Sequence, residues 1–254
     1  MEKYKTCFIS CILWILLWHS LPVNSEPSAK DIIQAAIDYY RDESSFSVAE
    51  MTIHRPDWER TMKMQVWTQG IDKSLVRIIA PKKDKGNGNL VIGDDMWSFT
   101  PKINRVIKIP ASMAHQGWMG SDFSNNDVAK ADDLIEKFTH RILDTQHHDN
   151  KILYIIESIP HEDAPVVWGK EIVKVREDFL MIAQEFYDQD NQLVKTLSTS
   201  DIKMMSGKLT VATQRMQKVD KPNEWTEFHI LEADYGVQIP DRYFTLSHLR
   251  NPRR

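Results

Sequence analysis

Few residues in this chain have the types and spacing that chemistry needs, and most of those few fall in polar turns. His147-His148-Asp149 offers three donors for a metal ion. Adjacent side chains on an extended segment point to opposite sides, however, so the two imidazoles do not converge on one ion. His161-Glu162-Asp163, just before Pro165, has the composition of a solvated turn. Two Asp-Asp pairs occur, Asp94-Asp95 and Asp132-Asp133. General acid–base work needs opposed carboxyls in a pocket, which adjacency in sequence does not provide. The first pair is read as a turn and the second as a helix's first turn, where acids favour the dipole. The chain also lacks Gly-x-Ser-x-Gly, a phosphate loop, the Rossmann glycines and His-Glu-x-x-His. No enzyme activity, cofactor or metal is therefore expected.

The stronger signal is apolar. In the run Trp118-Met119-Gly120-Ser121-Asp122-Phe123, large apolar side chains flank a flexible polar centre. Such a connection is costly to leave in water and needs a core to dock on or a ligand to cover. The chain holds 11 Met and 8 Trp. Methionine fills irregular apolar space and adapts to ligands of varied shape. Met62, Met64, Trp97, Phe99, Met113, Trp118, Met119 and Phe123 are the candidate lining of a hydrophobic cavity or its lid.

The N-terminus places this chemistry in a compartment. Lys3 and Lys5 precede an apolar run over residues 7–18, and Val23-Asn24-Ser25 offers a small-residue cleavage site before Glu26. That order is expected of a secretory signal peptide over residues 1–25. The apolar run is shorter than the roughly 20 residues of a membrane span. Both cysteines, Cys7 and Cys11, lie inside it, so the processed chain would carry no thiol and no disulfide. Thiol catalysis and thiolate metal sites are thereby excluded. About 230 residues remain, expected to form a single domain over 26–254. A formal net charge of −4 with mixed signs gives no attraction to nucleic acid.

The elements that must position these residues follow from periodicity. Ser28 with Asp31 has the pattern of a helix start, and Ile32, Ile33, Ala36, Ile37, Tyr39 and Tyr40 recur at helical spacing. Strand patterning is expected over residues 61–67, 73–80, 90–92, 96–100 and 105–109. The middle, 112–139, is weak in strand signals, and 127–139 has room for one or two short helices. Strands resume over 151–158, 166–175, 179–187, 193–205, 208–218 and 224–233, and 240–247 suggests a short closing helix or tail. About ten antiparallel strands predict one meandering sheet that must close, or curl and have its concave face covered.

A resemblance then enters on specific residues. Trp67, Gly70, Arg77, Pro81, Lys85-Gly86, Leu90, Gly93-Asp94, Met96-Trp97, Pro101, Arg105 and Ile109-Pro110 lead into the Trp-Met-Gly-Ser-Asp-Phe run. In this order the chain resembles the LolA-like outer-membrane lipoprotein-sorting proteins, often encoded beside membrane transporters. The resemblance implies a mainly β (α+β) fold, a curled antiparallel sheet forming an unclosed β-barrel with helices covering the concave face. It also implies a monomeric carrier in the periplasm of a Gram-negative bacterium. Such a carrier takes a lipid or acylated lipoprotein from an inner-membrane transporter of the ABC or RND type and moves it toward the outer membrane. In LolA an arginine on the sheet helps hold the lid shut. Here Arg77 and Arg105 are both candidates, and neither is assigned. The alternative implied is a regulatory binding protein like MucB/RseB, which senses envelope lipids.

Overall fold

The computed structural model describes residues 27–129, 133–162, 164 and 166–252. The leader expected over 1–25, Asp132, Asp163 and Pro165 lie outside them. Helix α1 (Ala29–Arg41) starts from a capping box. Ser28 Oγ accepts from the Asp31 amide and Asp31 Oδ2 accepts from the Ser28 amide, both at 3.2 Å. Its apolar positions Ile32, Ile33, Ala36 and Ile37 are buried, because they form one stripe at helical spacing.

The chain then enters an antiparallel meander of β1 (Ser44–Arg55), β2 (Trp58–Gln69), β3 (Lys73–Ala80), β4 (Gly88–Ile92), β5 (Asp95–Thr100) and β6 (Arg105–Lys108). A long crossing carries the short helices α2 (Asn125–Ala129) and α3 (Asp133–Glu136). A second meander returns through β7 (Phe138–His148), β8 (Lys151–Pro160), β9 (Lys170–Arg176), β10 (Met181–Tyr187), β11 (Leu193–Met205), β12 (Lys208–Lys218) and β13 (Trp225–Tyr235). Helix α4 (Leu246–Arg250) closes the chain.

All 13 described strands form one sheet in the order β6-β5-β4-β3-β2-β1-β13-β12-β11-β10-β9-β8-β7. The chain thus starts at the middle of the sheet, walks to one edge, crosses to the opposite edge and walks back until β13 pairs with β1. The edges β6 and β7 do not pair, so the sheet is an unclosed barrel. Helix α1 packs on β7 and β9 on one side, while its Arg41 donates to the carbonyls of Gly70, Ile71 and Lys73 on the other. One helix can meet both halves only if the sheet curls around it.

Period-2 alternation divides the sheet into an inner and an outer face. In β3 Val76 and Ile78 join the inner cluster with Ala49, Met51, Met62, Met64 and Trp118. Leu75 of the same strand joins an outer cluster with Leu90, Phe99, Phe244 and Leu249, where the C-terminal segment covers the sheet. The sequence pattern had not indicated β1 or most of β7, and the strand expected over 166–175 occupies 170–176 instead. The expected closing helix is present as a 3₁₀ turn at Asp241–Phe244 followed by α4.

Candidate functional site

Residues between β6 and β7 form a strap across the inner face, because the chain must travel from one sheet edge to the other. Three polar anchors fasten it. Trp118 is buried and donates from Nε1 to Asn89 Oδ1 of β4 at 3.0 Å. Asp122 receives a bidentate pair from Arg55 of β1, Nη1 to Oδ2 at 3.0 Å and Nη2 to Oδ1 at 3.1 Å. Thr226 of β13 completes this anchor, donating to Asp122 Oδ2 at 2.6 Å and accepting from the Asp122 amide at 3.0 Å. Further along, Asp127 of α2 meets Lys195 Nζ of β11 at 2.7 Å. That ammonium is buried and lies over the rings of Trp168 and Phe186, at 4.9 and 4.4 Å. Charged pairs this far from water are strong where every lone pair is met, and they fix geometry.

Between strap, α1 and sheet lies a cavity of about 310 Å³. Its walls are chiefly apolar. Ala36, Ile37 and Tyr39 of α1 face Met64, Val66 and Val76, and Leu197, Val211, Met216 and Phe228 complete the far half. Trp118, Phe123 and Val128 roof it from the strap, and Tyr40 and Tyr235 stand at the end of α1. One part of the wall is polar, formed by Asp127, Asp133, Glu171, Gln184 and Gln214. Burial pushes the Glu171 carboxyl up to about 7, against the opposing effect of a hydrogen bond from Gln184. A volume at the lower end of ordinary ligand pockets, with apolar walls and few polar groups, suits a slender apolar ligand.

A family model described as "Uncharacterized protein" matches residues 70–251. The chain belongs to that family. No curated protein matches it significantly. Among solved structures, a DUF1329 family protein from Desulfovibrio piger ATCC 29098 is 26% identical with a TM-score of 0.78. That likeness covers 88% of this chain and all of the other. A putative outer membrane lipoprotein-sorting protein domain from Vibrio parahaemolyticus is 21% identical, also at a TM-score of 0.78, over 88% of this chain and 98% of that one. A LolA superfamily protein from Nitrosomonas europaea is 22% identical at 0.72, over 88% of this chain and all of that one. The fold is therefore LolA-like.

The eight candidate lining residues are divided by the fold. Met64, Trp118 and Phe123 line the cavity. Met62 and Met119 belong to the inner cluster behind the Trp118 anchor, Met62 fully buried and Met119 partly. Met113 lies on the strap, where its carbonyl accepts from the Asn125 side chain at 2.9 Å. Trp97 and Phe99 face the other way, packing in the outer cluster against the C-terminal segment. Their neighbour Met96 takes the inward position of β5, as alternation requires.

Neither candidate arginine touches the strap. Arg77 is buried on the outer face and donates to the carbonyls of His248 and Leu249, and Arg105 is exposed at the β6 edge. The sheet arginine that grips the strap is Arg55. Its signal in the sequence was indirect, since its partner Asp122 sits in the singled-out run 67 residues away. Glu171, Lys195 and the tyrosines at the α1 end were also missed. A lone carboxylate or lysine in a strand ordinarily points to solvent, so single-residue reasoning had no cause to select them. His147 and His148 are exposed at the end of β7, and no cluster of metal-ligating residues is present among the described residues. No described helix is long and apolar enough to cross a membrane.

Proposed function

We propose that this chain is a periplasmic carrier that holds an acyl chain of a lipid or lipoprotein beneath the strap and moves it toward the outer membrane. The observation that carries this reading is the apolar cavity of about 310 Å³ bounded on one side by a strap held through discrete polar contacts. An acyl chain crossing water exposes surface costing roughly 0.8 kcal/mol per methylene, so a carrier must cover it for the whole journey. A carrier must also release it, which a roof fastened at a few points permits and a continuous core does not. The LolA-like fold and the lipoprotein-sorting name of the Vibrio parahaemolyticus structure support the same reading.

In this proposal residues 1–25 are the export leader and 26–254 a single carrier domain. Met64, Trp118 and Phe123 touch the cargo, while Met62 and Met119 back the roof and Met113 moves with the strap. The cargo comes from an inner-membrane transporter, and no cofactor or bond-making step is needed. The test is native mass spectrometry of the protein exported with its own leader and recovered from a bacterial periplasm without detergent. A bound mass released on denaturation as a lipid or lipopeptide is the expected result. A clean apo mass, with no uptake of added phospholipid or lipopeptide, overturns the proposal.

A further inference from the structure

We infer that Glu171 makes closure of the strap a proton-consuming step, so that the roof of the cavity loosens as the pH rises from mildly acidic to mildly alkaline. This regulation concerns the same cavity and rests on the carrier reading only for its biological use.

The argument begins with position. On β9, Val173 and Val175 point inward beneath α1, and alternation turns Glu171 to the same inner face. There the carboxyl is buried by the strap rather than by the sheet alone, since it shares the cavity wall with Asp127 of α2 and Asp133 of α3. Every element around it is accounted for. Neighbouring β10 supplies Gln184, donating to Glu171 Oε2 at 2.5 Å, and Phe186. From β11 comes Lys195, already paired with Asp127 at 2.7 Å. The β8 partner in register is Ser158, whose Oγ contacts His140 Nδ1 of β7 at 2.8 Å. Burial holds that imidazole toward its neutral form, so it brings no compensating cation. Helix α1 packs Ile33, Ala36 and Ile37 into the core with Val173 and Val175, and its Lys30 acts on His140.

The ammonium that acts on Glu171, that of Lys195, is committed to Asp127 at 2.7 Å. A charged Glu171 enclosed here costs desolvation that the Gln184 hydrogen bond and the Lys195 charge only partly offset, whereas a protonated one costs little. Lifting α2 and α3 returns the carboxyl to water, where it ionises at its ordinary value. The sign follows directly. In the closed state burial raises the group from 4.5 to about 7. Closure is then favoured fully below the lower value, and that advantage fades as the pH rises through about 7. Between pH 5.5 and 8.5 those two values give a change on the order of 30-fold in the opening equilibrium.

The experiment is amide hydrogen exchange, read by mass spectrometry, of residues 113–129 in protein without added ligand. Rates are corrected for intrinsic exchange and referenced to amides of β1 and β2, which removes any global unfolding. Protection of the strap should fall by tenfold or more between pH 5.5 and 8.5. Glu171→Gln, isosteric and uncharged, should keep the acid-pH protection at both values. A wild-type change under threefold overturns the inference, and so does a Glu171→Gln variant that keeps the wild-type change. Because no ligand takes part, failure here is distinguishable from failure to bind cargo.

Discussion

Arg55 shows how much one side chain can decide. It holds Asp122 with two parallel bonds, donates to the carbonyls of His54 and Trp225, and reaches Glu224 at 3.4 Å. Side-chain exposures of 15% for Arg55 and 5% for Asp122 put the pair out of reach of solvent screening. The two ends are unequal. Replacing Asp122 with Asn leaves Arg55 with Glu224 and two carbonyls. Replacing Arg55 with Ala leaves a nearly enclosed carboxylate with Thr226 alone. Removing one partner of a buried pair costs about 3–5 kcal/mol. Arg55→Ala should fall in that range and exceed Asp122→Asn by about 1 kcal/mol or more. Denaturant unfolding of both variants checks the order, and equal losses would show that the arginine has no special share. Trp118→Ala tests the apolar side of the same roof. It removes a buried indole and takes the donor from Asn89 Oδ1, so a loss of about 3–5 kcal/mol is expected from the same measurement.

The elements sort into those that make the cavity and those that only support the sheet. The C-terminal segment belongs to the second kind. Phe244 and Leu249 pack on Leu75, Leu90 and Phe99, and the carbonyls of His248 and Leu249 accept hydrogen bonds from the buried Arg77, whose guanidinium burial pulls down from its ordinary range. Gly88 is kept small chiefly by the sheet, since a Cβ there would stand 2.9 Å from the Val76 carbonyl oxygen of β3, with Leu249 Cδ1 next at 3.0 Å. Leu249→Ala should cost about 2–5 kcal/mol. It should leave ligand affinity unchanged below the melting transition, because the contact lies on the face away from the cavity. A parallel loss of affinity at temperatures where the variant is folded would refute that separation. The same contrast explains what the sequence could reveal. Strands marked off by clear stop or turn residues, such as β3 before Pro81 and β12 after Ser206-Gly207, were legible. In β1 apolar residues occupy both faces, Ala49, Met51 and Ile53 turning to the inner cluster and Phe46 and Val48 to the opposite side, so no single apolar series ran the length of the strand. As an edge strand, β7 is mostly exposed, and another shift falls between Ile142 and Asp144, so it lacked an apolar signature. Of the site, the roof was legible because bulky residues in a polar connection stand out. Trp97 and Phe99 were misplaced because composition alone does not tell which face of β5 looks inward.

At the scale of the molecule, the sheet's topology makes the strap unavoidable. A meander that begins at the centre, reaches one edge and resumes at the other needs a crossing, and the curl of the sheet makes the concave side the short way across. The crossing therefore closes a cavity simply by existing, and what remains to be specified is how firmly it is held. Two routes to that cavity are conceivable from the geometry. One lifts the strap, and the other passes Tyr40 and Tyr235 at the end of α1 with the strap shut. A covalent lock separates them. Asp122 and Thr226 touch through their side chains, Thr226 Oγ1 donating to Asp122 Oδ2 at 2.6 Å, and a cysteine pair introduced there serves as the lock once loss of free thiol shows that it has closed. The chain's own cysteines, Cys7 and Cys11, are replaced by Ser so that the new pair is the one that reacts. If cargo enters by lifting the strap, the oxidised Asp122→Cys/Thr226→Cys variant should take up a fluorescent acyl probe at least about tenfold more slowly than the reduced form, with full recovery on adding reductant. Equal uptake by both forms would assign entry to the tyrosine end. The Arg55, Asp127 and Glu171 contacts would then be fastenings of a fixed wall, and the route of the cargo would run along α1.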